Sequence, residues 1–242
     1  YTYLVYYSEH TNFIFKGWPL NLYYCRSVSP YEDHCYKEKI MNLPLIIQGG
    51  MGIGVSNWRL ASAVSRTGQL GIVSGLCLDQ ILIRRLQLGD PCGTIRRALE
   101  HFPIKEIANR ILNKFYKAKG KGPSEPFMPL EMQTPEMSDE REDLIVAGGF
   151  TEMFLAKEGH NGIVGVNMLE KSQTDTLATL YGCMLAGVDY VTMGAGIPRN
   201  IPGILDSLSR NELTHRPLTV TNAQSTDDFK MTFNPERFKQ AK

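Results

Sequence analysis

Leu45-Ile46-Ile47-Gln48-Gly49-Gly50 and, past an intervening stretch, Leu70-Gly71-Ile72-Val73-Ser74-Gly75 decide the fold. Each is a short, continuous apolar run that ends in glycine or serine, as expected of a strand buried on both faces. Between them, Ser56 and Asn57 can cap a helix over Trp58 to Thr67 that stops at Gly68. Strand, glycine turn, helix, glycine, strand is a βαβ unit, and it implies a parallel sheet and an α/β fold.

Further along the chain the same rhythm returns. Leu144-Ile145-Val146-Ala147 before Gly148-Gly149 reads as a strand, with Thr151 capping a short helix that ends at Gly159. Ile163 to Leu169 reads as a buried strand with Asn167 near its C-terminal end. Thr174 is placed to cap a helix whose Leu177, Leu180, Tyr181, Met184 and Leu185 share one face, with Gly187 as the stop. Val188 to Met193 is the next strand, running into Gly194-Ala195-Gly196, and Pro202 suits the first turn of a last helix reaching Ser209.

Between these units, residues 78–121 read as helical and basic. Ile104, Ile107, Ala108, Ile111, Leu112 and Phe115 recur at helical spacing along one stripe. Ten Lys and Arg residues from Arg84 to Lys121 face only Asp90, Glu100 and Glu106, while Glu125 to Asp143 carries seven acids and one Arg. Mutual neutralisation of the two blocks is preferred to a nucleic-acid groove. Four prolines from Pro123 to Pro135 make the start of the acidic block a loop. Residues 1–42 are aromatic-rich without a period, compatible with a strand or two or an ordered coat. The polar residues 211–242, with Asp227-Asp228 and a Phe233-Asn234-Pro235 turn, read as an appendage or connector. The division is therefore an extension over 1–42, an α/β body over 43–210 with an insertion at about 78–142, and the tail.

Composition narrows the function classes. With 242 residues, 43% of them apolar, the chain can bury one large core or two small ones. Lys and Arg number 26 against 25 acids, so the formal charge of +1 gives no global steering toward nucleic acid or an anionic membrane. No apolar run approaches the roughly 20 residues that span a bilayer. The five cysteines (Cys25, Cys35, Cys77, Cys92, Cys183) are odd in number and form no CxxC pair, which argues against a disulfide scaffold or a zinc site and for a reducing, cytoplasmic setting. Tyr1 to Tyr7 lacks the basic start of a signal peptide.

The strand ends carry the candidate chemistry: Gly49-Gly50-Met51-Gly52, Ser74-Gly75, Asn167 and Gly194-Ala195-Gly196. In parallel α/β folds these ends form the binding face, and glycine there lets a flat or phosphorylated ligand approach the backbone. Taken singly, each glycine is better explained by a tight turn, while the whole set, with Asn167 added, favours a site. Asn167 must be hydrogen-bonded, to backbone or to ligand, and the sequence leaves both open. The run Gly49 to Gly54 does not fit GxGxxG, and GxxxxGK[ST], HExxH, Ser-His-Asp and Cys-His patterns are all missing. His101 and His160 lie away from strand ends and read as surface or capping residues.

Leu45 to Gly52, Gly71-Ile72-Val73-Ser74-Gly75 and Gly165-Val166-Asn167 resemble the nitronate monooxygenase (2-nitropropane dioxygenase-like) flavoproteins. The blocks Arg84 to Pro91, Leu155 to His160, Leu185 to Tyr190 and Met193 to Pro198 are closest to a long-chain bacterial branch of that family. The resemblance covers about residues 43–238. It implies a (β/α)₈ TIM barrel that binds FMN without a covalent bond and oxidises alkyl nitronates with O₂. Related members are FMN-dependent enoyl reductases. It further implies that Gly50 and Met51 line the isoalloxazine and that Asn167 hydrogen-bonds the flavin ring, while the cofactor supplies the redox chemistry. The family's catalytic His follows a Gly-Gly pair, whereas here the pairs Gly49-Gly50 and Gly148-Gly149 precede Met51 and Phe150. No catalytic residue or metal ligand is therefore assigned in this chain.

On this reading the chain holds the first half of a barrel, and the catalytic base and phosphate cradle lie beyond Lys242. The expected partners are a small-molecule substrate and, through exposed sheet edges, other chains, with no nucleic acid or membrane. Alone, the chain is expected to bind FMN weakly or not at all. The rival readings are a flavin-dependent enoyl-thioester reductase and a non-enzymatic truncated or half-barrel product.

Overall fold

The computed structural model describes residues 3–6 (as backbone), 44–222 and 229–239. Apart from residues 3–6, the aromatic-rich opening lies outside the described residues, as does Asp227-Asp228. In chain order the elements are β1 (Tyr3–Tyr6), α1 (Trp58–Ser65), β2 (Gly71–Ser74), α2 (Leu78–Gln87), α3 (Thr94–His101), α4 (Lys105–Phe115), α5 (Asp139–Lys157), β3 (Val164–Leu169), α6 (Thr176–Leu185), β4 (Tyr190–Gly194), α7 (Ile201–Ser209), β5 (Thr214–Pro217), β6 (Lys230–Phe233) and a short 3₁₀ helix, η1 (Pro235–Phe238).

The main sheet has the order β1-β4-β3-β2. β2, β3 and β4 are parallel and lie side by side in chain order, while β1 runs antiparallel along β4. Beyond β2, Ile47 makes a single parallel bridge to Leu70, with Leu70 N donating to Ile46 O (3.1 Å) and Gln48 N to Leu70 O (3.0 Å). The fold is thus mixed α/β around a parallel sheet, and that sheet is open, not a closed barrel. β5 and β6 form a separate antiparallel pair.

The two faces of the main sheet differ. Val73, Val164, Val166, Met168, Val191 and Met193 join the large core shared with the helices. Alternation along the strands turns Ile72, Ser74, Gly165, Asn167, Tyr190 and Thr192 the other way. There Leu70, Ile72 and Tyr190 form a small cluster of their own, with Ile163 against it. At Gly71 the helix layer sits so close that an added Cβ would lie 2.0 Å from Ala61 O of α1.

The largest departure from the sequence reading concerns Leu144 to Ala147. These residues are not a strand. They lie inside α5, whose Ser138 cap accepts from Arg141 N at 3.2 Å and whose first turn holds Asp139, Glu140 and Glu142, the signs that suit a helix N-terminus. Thr151 is accordingly mid-helix, and Gly148-Gly149 make no turn. They are points of helix contact: an added Cβ would lie 2.6 Å from Asp79 N of α2 at Gly148, and 2.6 Å from Thr179 O of α6 at Gly149. From the α6 side, Gly182 comes within 2.1 Å, by the same measure, of Val146 O. From Arg141 to Ala156 only Glu142 and Phe154 are less than fully buried.

Smaller corrections follow the same physics. Leu45 (94% exposed), Ile46 (61%) and Ile47 (39%) are not buried on both faces, because this segment is the outermost member of the sheet among the described residues. Asp175, not Thr174, occupies the N-cap of α6. The expected helices over 78–121 form as α2, α3 and α4, with Ile107, Ala108, Ile111 and Phe115 buried. The basic and acidic blocks pair as anticipated, through Arg110–Asp143, Lys114–Glu140 and Lys117–Glu125. The tail contributes Met231, Phe233 and Phe238 to the main core, where both rings flank Tyr181.

Two outcomes test this packing. Gly182→Ala should lower stability by about 1–3 kcal/mol through overpacking, whereas Gly203→Ala, exposed in α7 with nothing within 4 Å of the added methyl, should raise it by about 0.5 kcal/mol. Urea unfolding of both variants checks the contrast. The second concerns Glu142, whose carboxyl is pushed up from 4.5 to about 7, first by burial and then by Asp143 and Asp139, against the pull of Arg237 on η1. A raised carboxyl favours the protonated folded form, so its contribution weakens as pH climbs from about 4.5 to 7. Glu142→Gln should melt progressively higher than the parent as pH rises through that window, and at acid pH the gap should close.

Candidate functional site

The loop after Ile47 is stitched to the end of β2 by one side chain and one backbone carbonyl. Gln48 Oε1 accepts from Ile72 N (2.9 Å), and Ser56 O accepts from Ser74 N (2.8 Å). Ser56 Oγ also accepts from Met51 N (3.0 Å) and donates to Gly49 O (3.1 Å). These bonds take over where the single Ile47–Leu70 bridge leaves off. They press Gly50 onto the sheet: an added Cβ would lie 2.4 Å from Ile72 Cγ2, 2.8 Å from Asn167 Cβ and 3.0 Å from Val73 O. Only glycine fits there. Asn57 then caps α1, accepting from Arg59 N (3.0 Å) and Leu60 N (3.4 Å).

In the register of the sheet, Ser74 lies opposite Asn167 and Asn167 opposite Thr192. The three side chains form one polar row across the C-terminal ends of β2, β3 and β4, on the face turned away from the helices. Thr192 Oγ1 donates to Asn167 Oδ1 at 2.7 Å, which fixes the amide. That leaves Asn167 Nδ2 directed to Met51 Sδ at 3.7 Å, a weak acceptor for an amide donor. Ser74 Oγ is buried with no hydrogen-bond partner among the described residues. The structure therefore brings Gly50, Met51 and Asn167 together. Gly50 and Asn167 are buried (Asn167 is 5% exposed), while Met51 is 62% exposed beside them.

This row contains donors and acceptors but no acid or base. It can hold and orient the polar edge of a flat ligand, and any proton transfer must come from elsewhere. Neither histidine considered in the sequence reaches it. His160 Nε2 is 2.7 Å from Ala156 O and 3.2 Å from Ser62 Oγ, closing the last turn of α5 against α1. His101 stacks on Phe154, with ring centroids 4.6 Å apart. Sequence reasoning did not single out Thr192 or Gln48, and it read Ser56 only as a helix cap, a place that Asn57 takes. The signal for Thr192 is register: once the strands are laid in chain order, its hydroxyl falls beside Asn167.

Comparison with protein-family models, curated proteins and solved structures finds no match to this chain.

Replacing Thr192 by valine would strand Asn167 Oδ1 in a buried position. Thr192→Val should destabilise by about 1–3 kcal/mol, while Thr192→Ser, which keeps the donor, should recover most of that. Chemical denaturation of the pair, read with the side-chain amide resonance of Asn167, checks it.

Proposed function

We propose that this chain forms the flavin-facing wall of an FMN-dependent oxidoreductase of the nitronate monooxygenase-like class, built on a (β/α)₈ barrel plan of which these strands are the first half. The observation that carries the reading is the Asn167 amide, locked by Thr192 and, among the described residues, donating only to a thioether, at the binding end of a parallel sheet. The chain order of the parallel strands, with the large apolar core on one face only, supports the barrel plan. An isoalloxazine is flat and apolar with a polar edge. The buried glycine at Gly50, the Met51 thioether and the donors of Asn167 and Ser74 suit those two surfaces.

When bound, FMN would supply the redox chemistry, oxidation of an alkyl nitronate with O₂. The residues of this wall bind and orient. Gly50 gives its backbone for close approach, Met51 offers a polarizable contact, and Asn167 donates a hydrogen bond to a ring acceptor. Ser74 Oγ, orphaned in the sheet, has a free donor on the same row.

Titrating the purified chain with FMN into the millimolar range, followed by amide NMR, tests the reading. The Asn167 side-chain and Gly50 resonances should shift together, and Asn167→Leu should weaken binding about tenfold or more. Shifts confined to other parts of the chain would overturn it. In a preparation that turns over, oxygen uptake with an alkyl nitronate supports the class assigned here. NAD(P)H consumption with an enoyl thioester would instead reassign it to the reductases.

A further inference from the structure

On the helix side of the sheet, where β2 and β3 hand over to α2 and α6, lies a cleft of about 430 Å³, a size typical of small-molecule sites. Its floor is polar: Cys77 from the N-cap of α2, Ser172 and Asp175 from the turn before α6, and Arg141 from α5. Its wall, contributed by the loop after α4, is apolar and rich in thioether, with Phe127, Met128 and Met132. The polar row of Asn167 faces the opposite way, so this cleft is a separate feature and owes nothing to the flavin reading.

The charged groups around the cleft balance in number but not in pairing: Arg84, Arg141, Arg216 and Lys121, whose Nζ lies 4.9 Å from the Phe127 ring centroid, stand among the carboxyls of Asp79, Glu131, Glu170 and Asp175. Arg141 is committed to Asp79, Arg216 pairs with Glu170 at 3.1 Å, and Arg84 lies over the Phe127 ring at 4.6 Å. Glu131, at the rim, takes a hydrogen bond from Ser138 at 2.7 Å. Asp175 is left with the hydroxyl of Ser172, at 3.0 Å, and no cation at ion-pair distance among the described residues. It is only 3% exposed.

The placement of its side chain is equally telling. Aspartate at a helix N-cap ordinarily accepts from the first-turn N–H groups. Asp175 occupies that position in α6 yet makes no such bond, and it lines the cleft instead. Burial, with Asp79 nearby, holds its carboxyl up at about 6 against the pull of Ser172 and Arg216, as befits an anion lacking its counter-charge. The Cys77 thiol is also pushed up, by burial and by Asp79 and Asp175. It therefore stays protonated and adds neither charge nor a nucleophile.

We infer that the cleft binds a small amphipathic amine, with its ammonium group on Asp175 and Ser172 and its apolar body along Phe127, Met128 and Met132. A buried carboxylate with a hydroxyl but no cation beside it favours a cation, and flexible thioethers accommodate apolar bodies of varied shape.

Calorimetric titration of the whole chain with phenethylamine, phenethyl alcohol and phenylpropionate tests this. The amine should bind saturably at one molecule per chain, about tenfold or more tighter than the isosteric alcohol, and the carboxylate should be weaker still. Asp175→Asn should erase the preference for the amine, with its fold checked by circular dichroism. Met132→Lys, at a residue 81% exposed on the cleft wall, provides a variant that spares the core and should weaken amine binding several-fold by placing a like charge at the site. Equal affinity for amine and alcohol, tighter binding of the carboxylate, or no binding of the amine would each overturn the proposal.

Discussion

The nineteen residues of α5 occupy the middle of the helix layer, with almost no face left for solvent. A helix in that position can be reached closely on two flanks only where side chains are removed, and the sequence removes them at Gly148 and Gly149. α2 lies against the first and α6 against the second, with Gly182 returning the contact from α6. The charged groups that α5 does bury are paired: Arg141 with Asp79 of α2, Asp143 with Arg110 of α4, and Glu152 with Arg85 of α2 and with Trp58 N (2.8 Å) at the start of α1. Through these contacts one helix sets where α1, α2 and α6 sit. The strand ends that precede α2 and α6 carry both candidate sites, so their spacing depends on the same three glycines.

That helix was also the least legible part of the sequence. Leu144-Ile145-Val146-Ala147-Gly148-Gly149 has the look of a buried strand running into a turn, because an element buried on all sides loses the periodicity that tells helix from strand. The deciding signals lay outside the run, in Ser138 and the acids behind it, and in the length that reaches Lys157. Elsewhere the reading held where one face was wet: the stripe of α4, the Asn57 cap, Pro202 in the first turn of α7. Leu45 to Ile47 failed for the opposite reason. Hydrophobicity marks a segment as suited to burial, but only the neighbours on both sides supply it.

The candidate site was legible in part. Gly50, Met51 and Asn167 stood out as small or polar residues at strand ends, and they do meet. Ser74 stood out in the same way, whereas Thr192 became meaningful only through register, which no single strand contains. Asp175 was hidden more thoroughly, since an aspartate before a helix is expected to serve that helix. Its departure from the role appears only in three dimensions. The sheet thus separates two kinds of chemistry. One face offers neutral donors and acceptors in a row. The other, screened by helices, concentrates charged groups, and there Asp175 has no cation at ion-pair distance among the described residues.

At the far side of the sheet, β1 lies antiparallel on β4, with Tyr3 opposite Met193 and Tyr6 opposite Tyr190. The backbone donors and acceptors along that side of β4 can serve one neighbour at a time. Residues 3–6 and any additional parallel strand are therefore competitors for a single seat. While residues 3–6 hold it, the sheet ends there among the described residues, and a further parallel strand could join on that side only by displacing them.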